Sequence, residues 1–117
     1  MPDRKPAEPP LGAVLGPGTR HEGDLSFEGR VRVDGTFAGR LYSEDTLEVG
    51  VAGRVEGEVD VARAVIAGEV EGRLRVREHL SVRRTAVIRG LVDAGVAEIE
   101  AGAQIAGEVR VAGREIS

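Results

Sequence analysis

The sequence predicts an all-β fold, a parallel β-solenoid of about six coils that follows a proline-rich tail. Three observations support this prediction. A glycine-centred pattern recurs about every 17 residues, and all five prolines lie within the first 17 residues. Within each copy of the pattern, apolar and polar residues alternate, which is the periodicity of a strand. Together these features favour short stacked strands, free of the residue that most disrupts a sheet.

The first segment, residues 1–17, is predicted to be a disordered tail. Its prolines are Pro2, Pro6, Pro9, Pro10 and Pro17. Proline has no amide hydrogen to donate, so such a segment sustains neither a helix nor an interior strand. One short apolar island interrupts it, and Leu11, Val14 and Leu15 are candidates for membrane contact. So few apolar side chains would give only weak, reversible binding.

The remaining chain is built from repeats and is predicted to form one domain over residues 18–112, with a short C-terminal tail at 113–117. In each copy an apolar residue lies two positions after a central glycine, and in every copy but the weaker first one, which has His21, another lies two positions before it. The central glycines are Gly23, Gly39, Gly57, Gly72, Gly90 and Gly107, spaced by 15 to 18 residues. One such unit cannot bury its own apolar side, so the units are expected to stack.

Stacking makes equivalent residues axial neighbours, and two columns of polar residues result. The residues after the central glycines are Asp24, Arg40, Glu58, Arg73, Leu91 and Glu108. The residues two positions further along are Ser26, Tyr42, Asp60, Arg75, Asp93 and Arg110. The sign of the charge alternates over four successive residues in each column. Opposite charges on adjacent strands are mildly favourable, which supports the stacked register.

Composition argues against an enzyme, a metal site and a bound cofactor. The chain has no cysteine, which excludes disulfides, zinc–thiolate sites and cysteine catalysis. Its only lysine is Lys5, and no phosphate-binding loop occurs. His21 and His79 lack the neighbours of a catalytic triad and the spacing of metal ligands. The net charge of -4 and the 3% aromatic content argue against nucleic acid as a partner.

The two ends of the solenoid are the predicted functional sites. Terminal coils of a stack present unpaired backbone groups and apolar cross-sections, which invite pairing with another chain. The last coil keeps the full pattern, so the C-terminal interface is predicted to contain Ile99, Ile105, Val109 and Val111. The N-terminal interface is predicted to contain Leu25 and Phe27. These ends predict a homopolymer that grows end to end.

The run from Leu15 to Thr19, the segment from Val33 to Gly39 and the later glycine-centred copies resemble the bactofilins, which are bacterial polymer-forming cytoskeletal proteins. The resemblance covers residues 15–112. It implies a single-stranded right-handed β-helix of triangular section and non-polar filaments that form without nucleotide. It also implies cytoplasmic filaments, often held at the inner face of the cell membrane by the N-terminal tail, that scaffold cell shape or localise client proteins. Ile105 and Val109 match the apolar terminal-coil positions that the family uses at polymer joints.

Two other functions are consistent with parts of the sequence. A left-handed β-helix acyltransferase would show hexapeptides led by an aliphatic residue, and Val49, Val55 and Val61 fit that spacing, but the repeat intervals of 15 and 16 residues break it. A lipid- or protein-binding module would use a basic strip in the middle of the chain. That strip comprises Arg73, Arg75, Arg77, Arg83, Arg84 and Arg89.

Overall fold

The protein is an all-β parallel solenoid in its computed structural model. The structure describes the backbone of residues 11–111 and 114–116 and the side chains of residues 16–111. These residues contain no helix. The strands are β1 (Leu11–Leu15), β2 (Arg20–Phe27), β3 (Arg30–Val33), β4 (Thr36–Val49), β5 (Arg54–Ile66), β6 (Glu69–Val82), β7 (Val87–Ile99), β8 (Gln104–Val111) and β9 (Arg114–Ile116). All pairs are parallel except β8 with β9.

Each turn of the solenoid has three flat faces, and the chain makes about five turns. In β4 the first face is Thr36–Gly39, the second is Arg40–Ser43 and the third is Thr46–Val49. Strands β2 and β3 together form turn 1, and β4 to β7 each form one further turn. The prediction of about six coils is corrected, because β8 supplies only the first and second faces of a sixth turn. The right-handed sense remains a prediction.

The unequal repeat intervals have a simple structural cause. The register pairs twelve residues of one turn with twelve of the next, four on each face. The corner after the second face holds two residues in β4 (Glu44 and Asp45) but one in β5 (Ala62). The connection from the third face to the next turn likewise holds four residues at 50–53 and two at 67–68. Length therefore varies only at corners, so the paired faces keep their alignment.

The core is a set of inward columns that run along the solenoid axis. The first face contributes Phe37, Val55, Val70 and Ile88; the second contributes Leu41, Val59, Leu74 and Val92 beside Ser43, Val61, Val76 and Ala94; the third contributes Val31, Leu47, Ala64 and Leu80 beside Val33, Val49, Ile66 and Val82. All of these residues are at most 2% exposed. The core is therefore aliphatic apart from Phe37 and the hydroxyl of Ser43, which donates to the Gly29 carbonyl oxygen at 2.9 Å.

The central glycines form a column at the corner between the first and second faces. Their φ angles lie between +117° and +136°, which residues with a Cβ rarely adopt. From Gly39 onward, each also packs directly against the central glycine of the preceding turn. A Cβ on Gly57 would overlap the carbonyl oxygen of Gly39. Both the bend and the axial spacing of the turns therefore require glycine.

One arginine ties three successive turns together. The Nη2 of Arg77, in the corner of turn 4, donates to the carbonyl oxygen of Ser43 in turn 2 at 2.8 Å. It reaches that far because the corner of turn 3 between them is the single buried residue Ala62. On the way, its Nε lies 3.5 Å from Asp60 Oδ1 and its guanidinium lies 5.4 Å from the centre of the Tyr42 ring. The Arg77 side chain thus spans the space over Ala62, where the corner of turn 3 is one residue shorter than the corners of turns 2 and 4.

The glycine column allows backbone strain to be separated from the stacking contact. Gly23 has φ of +118° with no atom within 4 Å of an added Cβ, whereas Gly57 has nearly the same φ, +117°, and overlaps Gly39. We expect Gly23→Ala to cost about 1–3 kcal/mol of stability from strain alone, and Gly57→Ala to cost roughly 2 kcal/mol more. Thermal unfolding followed by circular dichroism measures both. Equal losses in the two variants would contradict the role assigned to the stacking contact.

Candidate polymer interface

The C-terminal end of the solenoid has two open strand edges. The third face of β7, Val96–Ile99, and the first face of β8, Gln104–Gly107, have no further strand partner among the described residues. Ile99 ends an inward column whose other members are buried, yet it is 48% exposed because no turn follows on its face. Ile105 ends the inward column of the first face and is partly buried against the core. Apolar side chains and unpaired backbone thus meet at this end.

The second face of this end is covered by the chain itself. Strand β9 lies antiparallel on β8 and pairs Val109 with Ile116, Arg110 with Glu115 and Val111 with Arg114. Val109 is only 8% exposed, and Val111 is partly buried against the core. Strand β9 lies in the segment predicted as a C-terminal tail, residues 113–117, because a three-residue strand carries no periodicity. Of the four predicted C-terminal residues, Ile99 and Ile105 therefore lie at open edges, while Val109 is already covered.

The N-terminal end is open along turn 1. Strand β2 pairs on one side only, with β4, among the described residues. Leu25 and Phe27 are partly buried against the core, as expected of inward residues without a preceding turn. His21 occupies the first-face inward position of this turn and is exposed. The predicted residues Leu25 and Phe27 thus lie side by side at the second-face edge of this end.

The segment that was predicted to be an N-terminal tail contains a strand. Strand β1 holds Leu11, Val14 and Leu15 and lies parallel to β3, with Leu15 paired to Val33. The register places β1 on the third face, one turn before β3. The predicted membrane contacts are thus backbone-paired members of the solenoid, although their side chains lie outside the described residues. Residues 1–10 of the tail predicted for residues 1–17 also lie outside them.

Surface charges on the first and third faces are paired within the chain. On the first face, Arg54 lies 2.8 Å from Glu56 and 3.5 Å from Glu69, and Arg89 lies 3.1 Å from Glu69. On the third face, Arg32 lies 2.8 Å from Asp34. The hydrogen bond and charge of Asp34 raise the pKa of Arg32 above its ordinary value. These two faces are therefore well neutralised, although such exposed pairs add little stability singly.

The arginines of the predicted basic strip lie on different sides of the solenoid. Arg73 and Arg75 lie on the second face and Arg89 on the first, with Arg77 at the corner between the second and third faces. Arg83 and Arg84 lie in the connection that follows the third face, where Glu100 accepts a hydrogen bond from the Arg84 amide at 2.9 Å. The six residues do not form one continuous surface. This arrangement does not favour a binding module built on that strip.

The two histidines are placed apart, and neither lies in a cluster of catalytic groups. His79 begins the third face of turn 4, and its Nε2 lies 3.0 Å from Glu98 Oε1 on the exposed surface. Among the described residues, no group of three or more histidine, cysteine or acidic side chains is placed to hold a metal ion. In the same part of the chain, no helix has the length and apolar character needed to cross a membrane.

The fold and these ends define a class, that of parallel β-solenoids with open strand edges at both termini. A family model described as bactofilin, polymer-forming cytoskeletal, matches residues 13–110. Because this match covers most of the chain, the protein belongs to the bactofilin family, a structural cytoskeletal family. The resemblance read from the sequence is confirmed. No curated protein and no solved structure matched the chain.

Proposed function

We propose that this protein is a cytoplasmic cytoskeletal scaffold whose solenoids join end to end into non-polar filaments, which maintain cell shape or localise client proteins. The observation that carries the proposal is the state of the two ends, where strand edges are unpaired and Ile99 is 48% exposed. Membership of a polymer-forming family supports it. The scaffold needs no catalytic residue and no metal.

The proposed joints need no bound nucleotide. Their affinity comes from backbone hydrogen bonds between strand edges and from burial of Ile99 and Ile105 at one end and of Leu25 and Phe27 at the other. Burying apolar area contributes about 25 cal/mol per Å², so a few such side chains on each side give a substantial driving force. Because these groups are permanently available, assembly is governed by concentration and not by hydrolysis.

The direction of the strands at a joint decides the polarity of the filament. A two-fold axis perpendicular to the rod brings like ends together, with the terminal strands antiparallel, whereas head-to-tail joining keeps them parallel. We propose like-end joints. The antiparallel pairing of β9 on β8 supports this, because it shows that the second-face edge at the C-terminal end accepts an antiparallel partner.

Microscopy of the purified chain tests self-assembly and nucleotide independence together. We expect negative-stain electron microscopy to show thin unbranched filaments in buffer without nucleotide, and the same filaments after addition of ATP or GTP with Mg²⁺. Particles that stay solitary at every protein concentration and ionic strength would contradict end-to-end assembly. Filaments that appear only with nucleotide would contradict nucleotide independence.

A charge at one end distinguishes the two kinds of joint. Ile105→Arg places a charged group against the first-face edge of the C-terminal turn while the other turns still fold, so the strand signal in circular dichroism stays unchanged. With like-end joints, the N-terminal ends still pair and analytical ultracentrifugation shows a dimer. Head-to-tail joints would instead give a monomer and contradict the proposed symmetry.

The matched control for Ile105→Arg is Val51→Arg. Val51 is 71% exposed in a connection on the side of the solenoid, far from both ends, and receives the same charge. This variant is expected to form filaments like the unmodified chain. Filaments of normal length from Ile105→Arg would remove Ile105 from the joint.

Membrane association is proposed to require release of β1. Pairing with β3 holds the backbone of Leu11–Leu15 in the solenoid, and we propose that this segment leaves β3 before it contacts a bilayer. Co-sedimentation with phosphatidylglycerol vesicles tests this proposal. We expect the full chain to bind weakly and a chain lacking residues 1–15 to lose that binding; equal binding by both would contradict it.

A further inference from the structure

The second face of the solenoid differs from the other two because much of its charge has no partner. The pairs that exist are long: Asp24 with Arg40 at 3.7 Å, Asp60 with Arg77 at 3.5 Å, and Glu108 with Arg110 at 3.7 Å. On the second face, as far as the structure describes it, the charged groups that have no opposite charge within 4 Å are Glu58, Arg73, Arg75 and Asp93. A face of unpaired alternating charges is complementary to a surface with the opposite alternation.

These charges are arranged in two columns, which we call rails. The first rail is Asp24, Arg40, Glu58, Arg73, Leu91 and Glu108, and the second rail is Ser26, Tyr42, Asp60, Arg75, Asp93 and Arg110. The structure confirms the predicted columns, since Arg40 pairs in register with Glu58 and Glu58 with Arg73, while Asp60 pairs with Arg75 and Arg75 with Asp93. Between the rails runs a trough of about 480 Å³ whose floor includes Leu41 and Val59. The four charged residues of the first rail in turns 1 to 4 have a net charge of zero. A partner surface with the opposite alternation is therefore attracted at each position and is not repelled by a net charge.

We propose that the second face is a lateral docking surface for the second face of another copy of this chain, which runs in the opposite direction. A two-fold axis that passes between turns 2 and 3 places Asp24 opposite Arg73 and Arg40 opposite Glu58. The same axis places Tyr42, whose phenol donates to Glu44 of its own chain at 3.0 Å, opposite Asp60. Every charged residue of the first rail in turns 1 to 4 then faces an opposite charge.

Two other arrangements of the same two faces bring like charges together. Parallel copies in register place Glu58 opposite Asp60 and Arg73 opposite Arg75. Antiparallel copies displaced by one turn, about 4.8 Å, place Arg40 opposite Arg73. Repulsion therefore disfavours both of these arrangements. Parallel copies displaced by one turn place Arg40 opposite Asp60 and Glu58 opposite Arg75 but bring Asp93 opposite Glu108. Of these four arrangements, only the antiparallel one with its axis between turns 2 and 3 has no facing pair of like charge.

The contact is too small to hold two single chains together. Four turns of one face cover far less than the roughly 800 Å² that each partner buries in a stable complex. Along a filament, however, the contact recurs at every subunit, so weak contacts act together. This inference thus rests on the proposed end-to-end assembly, and a non-polar filament supplies subunits in both directions to its neighbours.

Filament pairing at two salt concentrations tests the inference. In about 0.1 M NaCl we expect electron microscopy to show filaments side by side, and in about 1 M NaCl single filaments, because the screening length falls from about 10 Å to 3 Å. Arg73→Glu should reduce the paired fraction by about tenfold or more at low salt and leave single filaments intact. The matched control is Arg84→Glu, whose guanidinium also lacks an ion pair among the described residues but lies off the second face.

A variant in which all four charges of the first rail in turns 1 to 4 change sign provides the most discriminating test. The variant Asp24→Arg, Arg40→Glu, Glu58→Arg, Arg73→Glu keeps the alternation, so its filaments should pair with each other but not with preformed wild-type filaments in two-colour fluorescence. Unpaired wild-type filaments at low salt, or inverted filaments that pair freely with wild type, would overturn the lateral contact and leave end-to-end assembly standing. Absence of any filament would overturn both.

Discussion

Contact between the backbones of successive central glycines is the constraint on which the rest of the structure depends. At Gly57 the chain turns from the first face to the second with φ of +117°, and it does so directly against the carbonyl oxygen of Gly39. No residue with a Cβ satisfies both conditions without strain. Because this corner is the same in every turn, the strands on either side of it stack in register, and inward columns such as Phe37, Val55 and Val70 follow.

This stacking divides the surface into parts with different physical properties. Inside the stack, each edge is satisfied by the next turn, and the core is almost entirely aliphatic. At the ends the same arrangement leaves strand edges and inward residues such as Ile99 without a following turn. On the sides, the register converts short-range sequence alternation into long charge ladders, paired on the first and third faces and largely open on the second. End-to-end growth and lateral contact would thus use separate surfaces.

Much of the fold was predictable because its periodicity is visible in the sequence. The central glycines identified the repeat, and the alternation around them assigned inward residues such as Leu41 and Leu74 correctly. The number of turns was overestimated because the copy around Gly107 has the full pattern although only two faces follow it. The lengths of the corners were not predictable. A corner of one residue, such as Ala62, and a corner of two, such as Glu44–Asp45, leave the alternating pattern of the faces unchanged. The hydrogen bond from Arg77 to the Ser43 carbonyl oxygen was not predictable either, because it depends on the difference in corner length.

The candidate interface was predicted less completely, for a physical reason. Inward residues of terminal turns can be named from the repeat, which located Leu25, Phe27, Ile99 and Ile105. What covers an edge depends on short non-repeating segments, and neither β1 nor β9 has a periodic signal. Both pair with the solenoid through backbone hydrogen bonds, which every residue but proline can make. The unpaired charges of the second face likewise depend on side-chain distances that the alternation alone does not determine.

Fibre diffraction from oriented filaments tests most directly the claim that stacked turns continue from one subunit to the next. The account predicts a meridional reflection near 4.8 Å, because strands that lie across the rod repeat along the filament axis at that spacing. Its coherence length should exceed the height of one subunit's five turns, since the joint continues the stack. A reflection at that spacing on the equator, or no ordered repeat along the axis, would contradict the account.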